Sequence, residues 1–163
     1  MERMIHPISP ICESNSRVLV LGSFPSVKSR EGSFFYHHPQ NRFWRVISEI
    51  YNEELPTTIE AKTQLLLKNK IAVWDVIQSC EITGSSDSSI KNVIPNDIRS
   101  LLDQADIRSI YANGGTAYRL YLKYCYGSTG RDIIKLPSTS PANATFSLES
   151  LVNHWSCLAE ATR

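Results

Sequence analysis

The sequence predicts an α/β fold, a parallel sheet with helices on both faces, and three observations point there. Four short β-branched or aliphatic runs alternate with segments of helical periodicity, the pattern that builds parallel sheets through crossover helices. The first run, RVLVLGSF from Arg17 to Phe24, is apolar almost throughout and ends near a glycine, as a strand buried on both faces does. The length of 163 residues suits one domain with a real core and is too short for two comfortable ones. Residues 1–163 are therefore read as one unit, with 1–16 as an N-terminal surface arm.

The elements follow in order. RVLVLGSF is expected to be the first strand and a central one. From Arg42 to Asn52, Phe43, Trp44, Val46, Ile47, Ile50 and Tyr51 recur at helical spacing with charges between them, which predicts a half-buried helix. Thr57 and Glu60 stand at capping-box spacing and open a second helix running to about Asn69. KIAVWDVI then supplies the second strand. A helix from Asp97 to about Gln104, the strand IRSIYA, a helix from Thr116 to Cys125, the strand DIIKLP and a last helix from Leu148 to about Glu160 complete the alternation. In such sheets ligands bind beyond the carboxyl ends of the strands, where loops converge. The loops that matter are GSFPSVKSREGSFFYHHPQ, DVIQSCEITGSSDSS, NGG and STSPAN.

Composition narrows the class. Apolar residues at 42% and charged residues at 20% are globular values, and no apolar run reaches the roughly eighteen residues that span a bilayer. The start lacks the apolar core and small-residue cleavage site of a secretory signal. Cys12, Cys80, Cys125 and Cys157 lie far apart without a CxxC pair, which argues for buried thiols in a reducing cytoplasm and against a zinc or iron–sulfur site. No metal and no cofactor is expected. With a net charge of +1, any nucleic acid must be held by local basic groups and helix termini, since there is no general positive field.

Several loop residues carry chemistry beside a plainer reading. Asn41 stands where loop becomes helix, where asparagine is also a good cap. Phe34, Phe35 and Tyr36 offer flat faces on which a base can stack, while Pro39 stiffens the approach; aromatics are equally core residues. His37 and His38 can donate to a phosphate or a leaving group, or be surface imidazoles in a turn; His38 is the stronger candidate. Asp75, at the end of the second strand, is a partly buried carboxylate in need of partners or a purpose. STSPAN offers hydroxyls and backbone N–H groups suited to phosphates, or is a surface turn. GSSDSS, Gly84 to Ser89, reads as an ordinary polar turn, as do Asn113, Gly114 and Gly115.

Taken together, GSFPS at Gly22 to Ser26, HPQNRFW at His38 to Trp44, WDVI at Trp74 to Ile77 and LPSTSPAN at Leu136 to Asn143 resemble the uracil-DNA glycosylase superfamily, and within it the hypoxanthine-DNA glycosylase branch. The resemblance implies a three-layer α/β/α sandwich on a short four-stranded parallel sheet. It also implies an enzyme that rotates a deaminated base out of DNA and hydrolyses its N-glycosidic bond, with hypoxanthine favoured and uracil or xanthine as further substrates. Many members carry an aspartate or asparagine in the first motif to orient water; the matching stretch here, Ser23, Phe24 and Pro25, has neither. The burden moves to Asn41, which matches the catalytic asparagine of the hypoxanthine branch and would hold water against the sugar. Gly22, Ser23, Phe24, Pro25, Phe35, Tyr36, His38 and Asp75 are the expected substrate contacts, with Asp75 near the position of a base-reading asparagine. Ser138, Thr139, Ser140, Pro141 and Asn143 are expected to grip the DNA strand, and only Ala142 or Asn143 stands where the family often has a gap-filling leucine.

Hypoxanthine differs from adenine on its Watson–Crick edge by a donor at N1 and an acceptor at position 6, so a pocket with one acceptor and one donor prefers it; Asp75 is the expected acceptor. The expected partner is DNA bearing deaminated bases, met by a monomer without a membrane. Two other readings stay open at this point: a non-catalytic module for damaged or single-stranded nucleic acid, and a protein that binds a small nucleotide and never meets DNA.

Overall fold

The computed structural model describes residues 3–163. The order of elements is β1 (Arg3–Ile5), β2 (Val18–Gly22), α1 (Val27–Gly32), α2 (Phe43–Ile50), α3 (Ile59–Lys68), β3 (Ile71–Asp75), β4 (Ile77–Glu81), β5 (Lys91–Pro95), α4 (Ile98–Leu102), β6 (Ser109–Asn113), α5 (Gly115–Tyr124), α6 (Tyr126–Thr129), β7 (Ile134–Leu136), α7 (Leu148–Trp155) and α8 (Cys157–Ala161), with a 3-10 turn at Asp87–Ser89.

The main sheet runs β3-β2-β6-β7, and every pair in it is parallel. As predicted, β2 is an inner strand with every residue buried. Its side chains divide between two cores: Val18 and Val20 pack with Phe43, Ile47, Leu66, Leu151, Trp155 and Leu158, while Leu19 and Leu21 pack with Ile98, Leu101, Ala117 and Tyr121. A strand that feeds a core on each face has no polar side to alternate with, which is why its sequence is a continuous apolar run. The result is a three-layer α/β/α sandwich, with α2, α3, α7 and α8 on one face and α4 and α5 on the other.

Five features differ from the sequence expectations. Residues 3–16 are not a surface arm: β1 pairs antiparallel with β4, Ile11 bridges Val73, and Ile8 and Ile11 are buried. The loop expected after Asp75 starts as a strand, because the chain turns at Val76 into β4, which with β1 and β5 forms a second, antiparallel sheet. The bend is held from both sides: Val76 N–H donates to Gly22 at 2.8 Å, and the Asn96 amide donates to the carbonyls of Asp75 and Ile77 at 2.9 and 3.2 Å. The first loop contains a helix, α1, capped by Ser26. Finally, Thr58 rather than Thr57 caps α3, accepting from Ala61 N–H at 3.0 Å, and the last helix breaks at Ser156 into α7 and α8. All four cysteines are free thiols, and no described helix is long and apolar enough to cross a membrane.

Candidate active site

Parallel register brings the carboxyl ends of the strands to one edge, with Gly22 opposite Asp75 and Asn113 opposite Leu136. A cavity of about 140 Å³ opens there, lined by Gly22, Ser23, Phe24, Pro25, Ser26, Ser29, Phe35, Tyr36, Asn41, Asp75, Ser85, Asp87, Asn113 and Ser140. That is well below the roughly 300–1,000 Å³ of pockets that enclose a whole small-molecule ligand. It is the scale of a ring system.

Asn41, just before Arg42 at the N-terminus of α2, both holds a helix-entry N–H and lines the cavity. Its Oδ1 accepts from Phe43 N–H at 2.9 Å and from the Thr139 hydroxyl at 2.9 Å. The backbone donor fixes which end of the amide is oxygen. Thr139 is oriented in turn by Asn113, whose Oδ1 accepts from Thr139 N–H at 3.0 Å and whose Nδ2 donates to Thr139 Oγ1 at 3.0 Å. With its oxygen occupied twice, the Asn41 amide has only its Nδ2 donors to offer the cavity. An amide locked this way holds a water or a leaving group by donating to it, and cannot take a proton.

On the cavity floor, Asp75 is 4% exposed. Its Oδ1 lies 2.3 Å and the Tyr36 hydroxyl 3.2 Å from where a Cβ on Gly22 would stand, so the missing side chain of Gly22 is what lets acceptor and hydroxyl converge. The Tyr36 hydroxyl is buried and makes no hydrogen bond; burial, reinforced by the Asp75 charge and only partly offset by the nearby Asn113 amide, pushes its acidity well below that of an ordinary phenol. It stays a donor. Tyr36 is held by stacking on Phe43, centroids 4.1 Å apart, and by a left-handed backbone with φ 50°, a conformation costly for a bulky residue and often found at functional sites. The second Asp75 oxygen, Oδ2, meets His6 Nε2 at 2.7 Å.

The aromatic loop thus divides. Phe35 and Tyr36 line the cavity, whereas Phe34 stacks on Trp44 inside the helical core at 5.8 Å and is no platform for a base. His38 lies outside the cavity lining, its Nδ1 accepting from Gln40 N–H at 3.1 Å. His37 packs over Gly32.

The STSPAN loop is also split. Ser140 lines the cavity and Pro141 and Ala142 are exposed, but Thr139 is fully buried and its hydroxyl turns inward to Asn41. Its expected grip on DNA gives way to positioning the amide, because its backbone and hydroxyl are both consumed by Asn113 and Asn41. Ser138 Oγ accepts from Ser140 N–H at 3.1 Å, and Asn143 Nδ2 donates to Ser138 O at 3.0 Å, so both shape the loop from within. The guanidinium of Arg42 ties this loop to α2, donating to the carbonyls of Ser140 and Asn143 at 3.1 Å each and to that of Phe146.

Three contributors escaped the sequence reading. Asp87, from the GSSDSS stretch, reaches the cavity and accepts from Ser23 Oγ at 3.2 Å. Although the residue is exposed overall, partial loss of water around its carboxyl raises its pKa, an effect Ser23, Thr116 and Arg119 oppose. Asn113, first of the NGG residues, ends strand β6, and His6 comes from the expected arm. None of the three has a local signature; each is brought in by pairing distant in sequence.

Comparison with known proteins adds a second line of observation. Residues 9–160 match the family model described as the uracil DNA glycosylase superfamily. A hypoxanthine DNA glycosylase of Methanosarcina acetivorans is 34% identical over 141 residues, covering 84% of this chain and 87% of that protein. A hypoxanthine DNA glycosylase of Methanosarcina barkeri is 33% identical over 107 residues, covering 64% of this chain and 68% of that one. A solution NMR structure of a Methanosarcina acetivorans protein, provisionally named a uracil DNA glycosylase, superposes with a TM-score of 0.83 at 29% identity, covering 98% of this chain and 100% of its own.

Proposed function

The chain belongs to the uracil DNA glycosylase superfamily, and on that footing we propose that it is a DNA glycosylase that excises deaminated bases, hypoxanthine foremost. The observation that carries the base assignment is the pairing of Asp75 Oδ1, an acceptor, with the unpartnered Tyr36 hydroxyl, a donor, over the bare backbone of Gly22. Hypoxanthine presents N1–H and O6 to such a pair. Adenine presents an acceptor at N1 and an amine at position 6, the opposite polarity. Uracil and xanthine share the N–H beside a carbonyl and are the next substrates expected.

Extrusion costs a few kcal/mol and is easiest for a mispaired base. In the cavity the bond between sugar and base breaks with its electron pair going to the base, and the charge that spreads toward O6 is met by the Tyr36 hydroxyl. The sugar, left oxocarbenium-like, adds a water held by the Nδ2 donors of Asn41, and the water's proton passes to solvent or to the departed base. Of the loop's hydroxyls, Ser140, which lines the cavity, faces the strand. The reading takes the chain as a monomer, and four free thiols fit the reducing cytoplasm.

The test is release of free hypoxanthine from an inosine-containing duplex, compared with matched duplexes bearing uracil, xanthine or unmodified bases. Release of hypoxanthine fastest of the four is expected. Binding of these duplexes without release would leave a recognition module instead of an enzyme.

A further inference from the structure

His6 lies 69 residues from Asp75 in sequence, yet the two side chains meet at 2.7 Å and are 3% and 5% exposed. The imidazole is held on every side. Its backbone N–H donates to Gln78 O at 2.7 Å as β1 runs along β4, and its ring stands edge-on to Phe24 at 5.9 Å and tilted against Phe35 at 6.1 Å.

The protonation pattern follows from one further contact. Ile8 N–H donates to His6 Nδ1 at 3.1 Å, so Nδ1 carries a lone pair and the ring hydrogen of the neutral imidazole sits on Nε2. That hydrogen points at Asp75 Oδ2. A buried carboxylate oxygen needs a donor, and this N–H supplies it. One oxygen of Asp75 is thereby used up, and the other, Oδ1, is left over Gly22 as an acceptor facing the cavity.

We propose that His6 is a positioning residue for base recognition: through Nε2–H it holds Asp75 as an acceptor with one free oxygen, which admits bases that carry a ring N–H beside a carbonyl. The proposal rests on the reading of Asp75 as the base-reading group. It also gives the second sheet a task, since β1 is attached to the domain through β4 and delivers the imidazole to the floor of the site.

The test is single-turnover excision of hypoxanthine from duplex DNA across pH 6–9 with the full chain and three variants. His6→Asn keeps an acceptor for Ile8 N–H but stops short of Asp75; His6→Gln carries an amide N–H that reaches it. Loss of a hydrogen bond to a charged group predicts excision by His6→Asn about 10- to 100-fold below wild type near neutrality. The other ionisable groups facing Asp75, the Tyr36 hydroxyl and Asp87, are present in all of these proteins. His6→Gln is expected to follow the wild-type profile. If His6→Asn matches wild type across the range, or His6→Gln fails as badly as His6→Asn, His6 is a structural residue and the proposal falls. Asp75→Asn separates the two ideas: loss of excision there with an unaffected His6→Asn overturns only the role of His6, whereas unimpaired excision by Asp75→Asn overturns the base-reading assignment beneath it.

Discussion

Replacing Asn41 divides capping from chemistry, because the same oxygen serves the fold and the same amide faces the cavity. In Asn41→Ala, Phe43 N–H loses its side-chain acceptor, a cap worth about 1 kcal/mol. The fully buried Thr139 hydroxyl loses the acceptor for its proton but keeps Asn113, which adds about 1 kcal/mol. The sum, about 2 kcal/mol, lowers Tm by roughly 4–8 °C for a domain of this size. Even from the low end of ordinary stability, about 5 kcal/mol, some 99% of the protein stays folded at 25 °C. Excision should nevertheless fall by about 100- to 1,000-fold, the scale for removing one preorganised donor from a transition state. Asn41→Ser, whose hydroxyl is an equally good cap, should regain much of the stability and none of the activity. The assay is single-turnover base release beside chemical denaturation, with duplex binding measured in parallel and expected to persist. An alanine variant that cuts at the wild-type rate, or a serine variant that recovers cutting with stability, would refute the catalytic role and leave Asn41 a cap.

Three further outcomes are expected. Tyr36→Phe removes a buried hydroxyl that has no partner, so stability should hold or rise by up to about 1 kcal/mol while hypoxanthine release drops about tenfold; denaturation and kinetics on one preparation check both. Gly22→Ala puts a methyl 2.3 Å from Asp75 Oδ1, and with Oδ2 tied to His6 the carboxylate cannot swing aside freely; excision should collapse while circular dichroism stays that of the folded protein, and an unimpaired alanine variant would remove Asp75 from the base pocket. Asp87→Asn should stabilise the protein at pH 7 and not at pH 3. The sign follows from the raised pKa of Asp87: its favourable contribution is full when both states are protonated and is lost as pH rises through the folded value. Urea midpoints at the two pH values decide it.

How much was legible in the sequence depended on whether a signal was local. The inner strand β2 announced itself because two cores strip it of polar positions, and Asn41 stood at a helix entrance where few residue types work. Neighbouring threonines blurred the entrance to α3, since Thr57 has the capping-box spacing and Thr58 the actual bond. The antiparallel sheet was hidden because only Val76 separates β3 from β4 and because β5, KNVIP, opens on two polar residues and ends in proline. A hydroxyl in a polar loop gives no hint of which way it turns, so only the bonds of Thr139 to Asn41 and Asn113 reveal its inward task. His6 and Asp87 were out of reach for a different reason: their partners, Asp75 and Ser23, stand 69 and 64 residues away, and nothing in a single sequence links such pairs.

The bond between Thr139 and Asn41 spans 98 residues, and that distance has a temporal consequence. A nascent chain that had emerged only as far as Ser138 would already contain Gly22, Tyr36 and Asp75, yet its Asn41 carboxamide would be held by Phe43 N–H alone. On the proposed role of Asn41, competence to cut is expected to arrive late in synthesis, with the closing of the last loop. Base release can accordingly serve as a reporter of completed folding, sensitive to any truncation or nick that frees Thr139.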